Sequence, residues 1–244
     1  MQTRPSDSIR TGAGNDIINA GLGGKSRSDA DFVDGGTGID RLIVDYSVGD
    51  TGTGMYFDAN CPWFTAYRNV SSTNSTPLDF LFSRNIEEFT VIGTSKNDSI
   101  KTDAGNDIIN AGAGNDIITG NAGGDTLTGG TGVDTYKYGR NTDSLLANYD
   151  VISDLAIGID VIDGSSAVSA SQLKELGNVT ALTETAIQQV LTTTDFSRYG
   201  AATFSFGDRT FLGINDRTAG FSAITDGIIE ITGFTGSLTN LAIV

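Results

Sequence analysis

Histidine is absent from this chain of 244 residues, and cysteine occurs once, as Cys61. The lack of histidine excludes Ser-His and Cys-His nucleophilic sites and every metal site that uses an imidazole ligand. A single cysteine cannot form an intrachain disulfide. No stretch approaches the roughly 18 apolar residues of a membrane span, and residues 1–6 contain no apolar core of a signal peptide. We therefore expect no histidine-based catalysis and no N-terminal export signal in these residues.

Glutamate and basic residues are also scarce. Asp supplies 25 and Glu only 5 of the 30 acidic residues, and 15 Lys and Arg leave a net charge of −15. This charge argues against a nucleic-acid partner, because phosphate binding needs basic surfaces. The bias towards the shorter carboxylate is typical of tight turns and of metal ligation close to the backbone. The charge also predicts that the chain repels itself until cations bind.

A period of nine residues dominates the middle of the chain. Its members are Asp98, Asp107, Asp116, Asp125 and Asp134, each followed two residues later by an apolar side chain (Ile100, Ile109, Ile118, Leu127 and Tyr136). A Gly-rich hexad such as residues 111–116 ends at each Asp. A disordered Gly/Asp-rich spacer is the alternative, but it would not need an apolar residue at a fixed distance from every Asp. The pattern therefore predicts a regular solenoid.

The spacing has a physical interpretation. Glycines allow the backbone to fold a tight turn, and the following triplet is long enough for one short strand whose middle residue points inward. Two such nonapeptide units form one coil, and stacked coils form parallel sheets around a row of Ile and Leu. Stacking places each Asp beside the Asp two units further on, so these carboxylates repel one another unless a hard cation with many oxygen ligands lies between them. Ca²⁺ suits such a site, whereas Mg²⁺ prefers a rigid octahedron and keeps its waters.

The same pattern occurs less regularly in residues 1–45. Its members are Asp7, Asp16, Asp31 and Asp40, with Ile9, Ile18, Val33 and Leu42 as the inward residues. The third unit is six residues longer than the others, which predicts a loop over residues 24–30. The domain organisation that we predict is a first repeat block at 1–45, an aromatic β-strand insert at 46–92, a second repeat block at 93–140, and a C-terminal capping and secretion domain at 141–244.

The insert and the C-terminal segment have no nonapeptides. Aromatic and β-branched runs in the insert favour short strands, which we expect to pack as a hairpin on the side of the solenoid. Alternatively, Tyr56, Trp63, Phe64 and Tyr67 form a platform for a sugar or peptide. Beyond residue 141 we predict short helices at 171–176 and 183–191, then strands at 203–206, 210–214, 227–232 and 238–244, which together hide the open end of the solenoid. The fold class is thus mostly all-β, a parallel β-roll with a β-rich insert and a C-terminal β cap.

The nonapeptides resemble those of the RTX (repeats-in-toxin, hemolysin-type) calcium-binding proteins. Residues 150–163 look like the motif that follows the repeats in serralysin-type secreted proteins, and residues 209–244 look like the bluetail domain of bacterial, largely cyanobacterial, surface proteins. The resemblance implies that several Ca²⁺ ions are held by the carbonyls of the second and fourth positions of each hexad and by the Asp at the sixth. The implied ligands are Asp7, Gly12, Gly14, Asp16, Asp31, Gly36, Gly38, Asp40, Thr94, Lys96, Asp98, Asp103, Gly105, Asp107, Gly112, Gly114, Asp116, Asn121, Gly123, Asp125, Gly130, Gly132, Asp134 and Asp150.

The resemblance also implies a function. RTX proteins are typically exported unfolded by the type I secretion machinery and fold on calcium outside the cell, and the apolar end of this chain, residues 241–244, is compatible with such export. We therefore expect a non-catalytic, extracellular or cell-surface module that binds calcium. Two alternatives remain open at this point: a module that binds a cell-surface glycan through the aromatic insert, and a polysaccharide-acting enzyme that uses Asp with Arg68 or Arg84.

Overall fold

We describe a computed structural model of the chain, which covers residues 7–21, 30–48, 54–61, 65–69, 78–241 and 243–244. These residues fold into two compact units. The first comprises residues 1–119 and 129–132, and the second comprises residues 120–128 and 133–244.

Short strands alternate with turns throughout the first unit. Its strands are Ser8–Ala13 (β1), Ile17–Asn19 (β2), Asp31–Thr37 (β3), Arg41–Asp45 (β4), Gly54–Asp58 (β5), Ala66–Asn69 (β6), Leu78–Arg84 (β7), Glu88–Ile92 (β8), Ser99–Lys101 (β9), Ile108–Asn110 (β10) and Ile117–Thr119 (β11). One sheet has the order β1-β3-β7-β6-β5-β9-β11 and the other the order β2-β4-β8-β10. The repeat strands run parallel, which confirms the predicted parallel β-roll.

The strand pairing has the period that the sequence predicts. Ile118 of β11 pairs with Ile100 of β9, two units earlier, while Ile18 of β2 pairs with Leu42 of β4 across a wider interval because the third unit is longer. From Ile18 onward the middle residue of each repeat triplet is buried and its neighbours are more exposed, as the alternation of side chains along a strand requires, whereas Ile9 is only half-buried. Ile109 and Ile118 are fully buried, whereas Ile108 and Ile117 are exposed.

The insert extends one sheet rather than packing on its side. Strands β5, β6 and β7 lie between β3 and β9, with β6 antiparallel to both of its neighbours. In the opposite sheet β4 pairs directly with β8, which is the last strand of the insert and the only one that the insert contributes there among the described residues. The prediction that the insert packs as a hairpin on the side of the solenoid is therefore wrong about the position of its strands. Strand edges exposed by interrupting the repeat are paired by the insert itself.

The second unit begins with repeat strands and continues into a mixed sheet. Its strands are Thr126–Thr128 (β12), Thr135–Lys137 (β13), Asp150–Ile152 (β14), Val161–Asp163 (β15), Lys174–Asn178 (β16), Ala201–Phe206 (β17), Arg209–Ile214 (β18) and Gly227–Glu230 (β19), and its α-helix is Glu184–Gln188 (α1). Turns of 3₁₀ helix occur at Asn141–Asp143, Ala170–Gln172 and Leu238–Asn240. The order β16-β17-β18-β19-β14-β12 forms one sheet, and β13 pairs with β15.

The core of the second unit is aromatic and aliphatic. Phe204 stacks on Phe211 with 5.3 Å between ring centroids, and Ile187 of α1 packs into the same cluster. The hairpin of β17 and β18 confirms the predicted strands at 203–206 and 210–214, with Gly207 at positive φ in the turn.

Two predictions for the C-terminal segment are wrong. Residues 174–178 form a strand rather than a helix because they pair in parallel with β17. Residues 238–240 form a 3₁₀ turn, after which Ile243 makes β-bridges to Ile162 and Val168.

Candidate calcium-binding turns

The turns of the repeat stack through their glycine backbones. Gly114 and Gly132, at the fourth position of hexads two units apart, both have positive φ, which only glycine adopts readily. A Cβ at Gly132 would overlap the carbonyl of Gly114, so the coils approach too closely for any side chain there. The same close approach joins Gly38 to the carbonyl of Gly14 in the first block. The second- and fourth-position carbonyls that the sequence suggests as ligands therefore lie in stacked columns.

The sixth-position carboxylates repeat one contact. In the first unit Asp116 accepts a hydrogen bond from the backbone N–H of Asp98 at 2.7 Å, and Asp40 accepts one from Asp16 at 2.9 Å. In the second unit Asp150 accepts from Asp125 at 2.9 Å. Each carboxylate is thus positioned by the turn that precedes it in the column.

Asp40 provides a direct test of whether a cation suits these turns. The side chain is fully buried, one oxygen accepts from Asp16, and Oδ2 has no hydrogen-bond partner. The space beside Gly35, where a Cβ would lie, is bounded by Asp40 Oδ2 and the carbonyl oxygen of Asn85. A buried carboxylate oxygen without a donor costs free energy unless a cation or proton compensates it. Carboxylate and carbonyl oxygens are the ligands that Ca²⁺ prefers, so the residues present fit this ion.

Burial and neighbouring negative charge raise the pKa values of two acidic groups near the second block. Burial raises the pKa of Asp107 to about 7, and the charges of Asp103 and Glu88 add to the effect, against hydrogen bonds from the Phe89 N–H and the Thr102 side chain. Burial, followed by the charge of Glu87, raises the pKa of Asp103, whose Oδ1 is buried without a partner. Crowding of this kind favours any ligand that neutralises the carboxylates.

Asp98 lies in a different environment. Its Oδ1 accepts from the backbone N–H of Met55 at 2.6 Å and from the Thr94 hydroxyl at 2.7 Å, while its Oδ2 accepts from the Thr94 N–H at 2.6 Å. Thr94 and Lys96 replace glycines in this hexad, and neither has positive φ. The protein itself therefore satisfies the carboxylate of Asp98 to a degree that it does not at Asp40.

Two acidic residues that sequence reasoning missed occupy positions equivalent to a repeat Asp. Glu87 accepts from the backbone N–H of Asp40 at 2.9 Å, and Asp160 accepts from that of Asp134 at 3.1 Å. The sequence carries a signal for Asp160, since Gly158 and Asp160 have the spacing of the fourth and sixth positions in the hexad. Glu87 has no such signal, because it lies inside the insert, where no nonapeptide occurs, and because it is the longer acid. Across the residues that the structure describes, no three Asp, Glu or Cys side chains converge as a cluster that could hold a metal.

The predicted ligands are divided between the two units, and some of them, such as Asp31 and Asp150, lie in strands rather than turns. Those in the first unit are Asp7, Gly12, Gly14, Asp16, Asp31, Gly36, Gly38, Asp40, Thr94, Lys96, Asp98, Asp103, Gly105, Asp107, Gly112, Gly114, Asp116, Gly130 and Gly132, and those in the second are Asn121, Gly123, Asp125, Asp134 and Asp150. Asp7 lies at the exposed end of the described chain and Asp16 is half-buried, whereas the sixth-position Asp residues from Asp31 onward are buried. Deep burial is therefore confined to the interior turns.

Comparison of the sequence with models of protein families finds one match. The model of the RTX calcium-binding nonapeptide repeat matches residues 6–24, 90–118 and 111–145, with four copies. Residues 6–24 and 90–145 are thus similar to RTX calcium-binding repeats. The match ends at residue 145, so the likeness of residues 209–244 to a bluetail domain stays a prediction. Comparison with the curated proteins gives no match.

The matched segments cover less than half of the chain and coincide with parallel strands of the β-roll. They do not cover the insert, where Tyr56 and Tyr67 stack with 5.3 Å between centroids and are half-buried. Trp63 and Phe64 of the suggested aromatic platform lie outside the described residues. Arg84, suggested for catalysis, donates to Asp34 at 2.6 Å, and the side chain of Arg68 lies outside the described residues. Among the described helices none is long and apolar enough to cross a membrane.

Proposed function

We propose that this chain is a module that stays unfolded until it meets extracellular calcium, and that it serves as a structural part of a secreted or surface protein exported by type I secretion. The observation that carries the proposal is Asp40. It is a fully buried carboxylate whose second oxygen has no donor and faces a carbonyl across the space beside Gly35. Such an arrangement is unfavourable in the absence of a cation.

In this proposal, one set of residues binds the ions and another forms the core. Glycine carbonyls of the stacked turns and the sixth-position carboxylates would hold the ions, and the inward aliphatic residues would pack once the turns close. Calcium supplies the positive charge that offsets crowding among carboxylates in a chain of net charge −15. Affinity in the range of extracellular modules, about 10⁻⁴ to 10⁻³ M, would leave the chain unfolded in the cytosol and folded outside. This difference fits export as an unfolded chain.

The test is circular dichroism of the whole chain with chelator and then with millimolar calcium. We expect the β signal to rise cooperatively with calcium, because the turns cannot close until the carboxylates are neutralised. Sodium chloride at the same ionic strength is the control, since it screens exposed charge but cannot bridge buried oxygens. Identical spectra with chelator and with calcium would refute calcium-driven folding. An equal response to sodium chloride would show that charge screening, rather than calcium binding, causes the folding.

Export needs its own experiment. A type I secretion system co-expressed with the chain should deliver it to the medium, and a chain lacking residues 141–244 should stay in the cell. Retention of both chains would argue against a secretion signal in that segment.

A further inference from the structure

The second unit contains a cleft that none of the predicted calcium ligands lines. Its volume is about 410 Å³, and it is formed by residues 139–142, 165–166, 199, 216–217 and 225. Two arginines, Arg140 and Arg217, line it, and we call it the arginine cleft. These residues follow or lie outside the nonapeptides, so calcium ligation gives no account of them.

The two arginines are notable because carboxylates are so abundant in this chain. Arg41, Arg84 and Arg209 each form an ion pair with a carboxylate. By contrast, neither Arg140 nor Arg217 forms an ion pair with any carboxylate of the described residues, and both are exposed.

The acidic residue of the lining does not neutralise them. The Oδ1 atom of Asp216 accepts a hydrogen bond from the backbone N–H of Thr218 at 2.6 Å, within the same loop. The cleft therefore keeps two guanidinium groups against one carboxylate, on a molecule with a net charge of −15. It is a local site for an anion on a surface that otherwise repels anions.

The loop that carries Arg217 is held in place from below. Asp226 is fully buried and accepts hydrogen bonds from the backbone N–H groups of Asp216 at 2.9 Å and Ser222 at 2.7 Å. Asn215, also fully buried, donates its amide to the carbonyls of Phe196 at 2.8 Å and Ser197 at 2.9 Å. The arginine is thus presented on a fixed backbone, which reduces the entropy lost on binding.

Tyr199 adds an exposed aromatic ring in an unusual conformation. Its φ is 53°, which is rare for a bulky residue, and its side chain is 53% exposed. The backbone N–H of Tyr199 donates to the carbonyl of Asp216 at 2.7 Å, which ties the ring to the arginine loop. Strain retained at an exposed residue in a cleft is common at ligand-binding sites.

We infer that the arginine cleft binds an anionic carbohydrate, with the guanidinium groups of Arg140 and Arg217 on a uronate carboxylate and the ring of Tyr199 against a sugar face. Arginine pairs with carboxylates through two parallel hydrogen bonds, and an aromatic face suits the C–H groups of a pyranose. Asn141, Thr142, Ser165 and Ser166 supply amide and hydroxyl groups for the sugar hydroxyls. These hydroxyl and amide groups lie in the same cleft as the ring of Tyr199, and a pyranose offers both hydroxyl groups and an apolar C–H face to such a lining.

The test uses the whole chain in calcium and two tetrasaccharides. A hyaluronan tetrasaccharide carries uronate, and chitotetraose is a neutral comparison of the same size. Calorimetry should show binding of hyaluronan only. Arg217→Ala and Arg140→Ala should each weaken it about tenfold or more, the loss expected for a hydrogen bond to a charged group.

Arg198→Ala is the matched control, because Arg198 is an exposed arginine beside Tyr199 that does not line the cleft. It should bind hyaluronan as well as the unchanged chain does. Circular dichroism in calcium checks that each variant folds. If Arg217→Ala does not fold, Arg217→Lys replaces it in the test. The lysine keeps the charge but loses the paired donors, so this variant should bind hyaluronan more weakly than the unchanged chain does.

Several results would overturn the inference. They are the absence of hyaluronan binding, equal binding by folded Arg140→Ala and Arg217→Ala, and an equal loss in Arg198→Ala. Equal affinity for a tetraglutamate peptide would assign the cleft to acidic peptides instead. Uronate held by exposed calcium ions would also leave the arginine variants unaffected, which separates this site from the repeat turns.

Discussion

At the scale of single residues, the repeat Asp side chains are not equivalent. Asp40 has one protein donor and a buried oxygen without a partner, whereas three protein donors reach the carboxylate of Asp98. The same residue type at the same repeat position therefore has two roles. One carboxylate suits a cation, and the other fixes a turn in which Thr94 replaces glycine.

Substitution by asparagine should separate these roles. Asp40→Asn keeps an acceptor for the N–H of Asp16 but loses the charge, so the calcium midpoint of folding should rise severalfold and folding should recover at high calcium. Asp98→Asn replaces one of the two accepting oxygens by an NH₂ group, which cannot accept the hydrogen bonds that this oxygen receives. The loss should cost about 1–3 kcal/mol of stability that calcium does not restore. Calcium titrations by circular dichroism, followed by urea unfolding at saturating calcium, measure both. Full recovery of both variants at high calcium would contradict the distinction.

Asp107 predicts how pH acts on the metal-free chain. Its pKa is raised by burial to about 7 in the folded state, against about 3.9 when unfolded. A raised carboxyl pKa means that the folded state binds the proton more tightly, so stability is present at low pH and is lost as pH rises through about 7. Lowering pH from 8 to 5 in chelator should therefore stabilise the fold by about 3 kcal/mol.

The measurement is the β signal in chelator at pH 8 and pH 5, with Asp107→Asn as the control. That variant lacks the titrating group and should show a smaller change between the two pH values. With calcium the dependence should reverse, because protons compete with the ion for the carboxylates. A β signal in chelator that falls on acidification would show that burial of Asp107 does not govern the metal-free fold.

At the scale of elements, the insert raises the question of how the two repeat blocks remain in register. Strands β5 to β7 fill one sheet, while β4 and β8 meet directly in the other. At that junction Glu87 accepts from the N–H of Asp40, the contact that a repeat Asp makes elsewhere. Glu87 thus continues the acidic column where the nonapeptide is interrupted.

Glu87→Gln gives a test whose sign is informative. If Glu87 contributes to calcium binding, the calcium midpoint should rise severalfold. Besides burial, the charge of Glu87 raises the pKa of Asp103. If Glu87 only repels Asp103 and does not bind calcium, the calcium midpoint should fall, because the substitution removes that repulsion. Glu175→Gln is the control, since Glu175 is an exposed acidic residue outside the repeat turns and its loss should leave the calcium midpoint unchanged. Calcium titration of the two variants decides between these outcomes.

At the scale of the whole molecule, charge and periodicity act together. A chain with 30 acidic and 15 basic residues gains little from collapse until ions bind, while the buried aliphatic row supplies the apolar area that makes collapse favourable afterwards. The end of the chain takes part in this packing. Leu241 and Ile243 are buried, so these two residues of the stretch that the sequence suggests as part of an export signal also pack in the second unit.

Local chemistry explains what the sequence determined by itself. The nine-residue period specifies three-residue strands with a buried centre, and Ile100, Ile109 and Ile118 are all buried as predicted. Positive φ at Gly112 and Gly114 follows equally from residue type. The hairpin at 201–214 was also predictable, since its alternation and its Gly207 turn lie close together in the chain.

Long-range pairing decided the rest. Residues 174–178 became a strand because β17 offered them an edge, and the insert strands entered the sheet because the interrupted repeat left edges there to be paired. Likewise, Glu87 reached the acidic column through a contact 47 residues away in sequence, and the donors of Asp98 include an N–H 43 residues away. Neither partner has a fixed spacing that a periodic pattern could reveal. The sequence therefore determined the repeat and its chemistry, whereas only the tertiary structure decided which carboxylates still have an oxygen available for an ion.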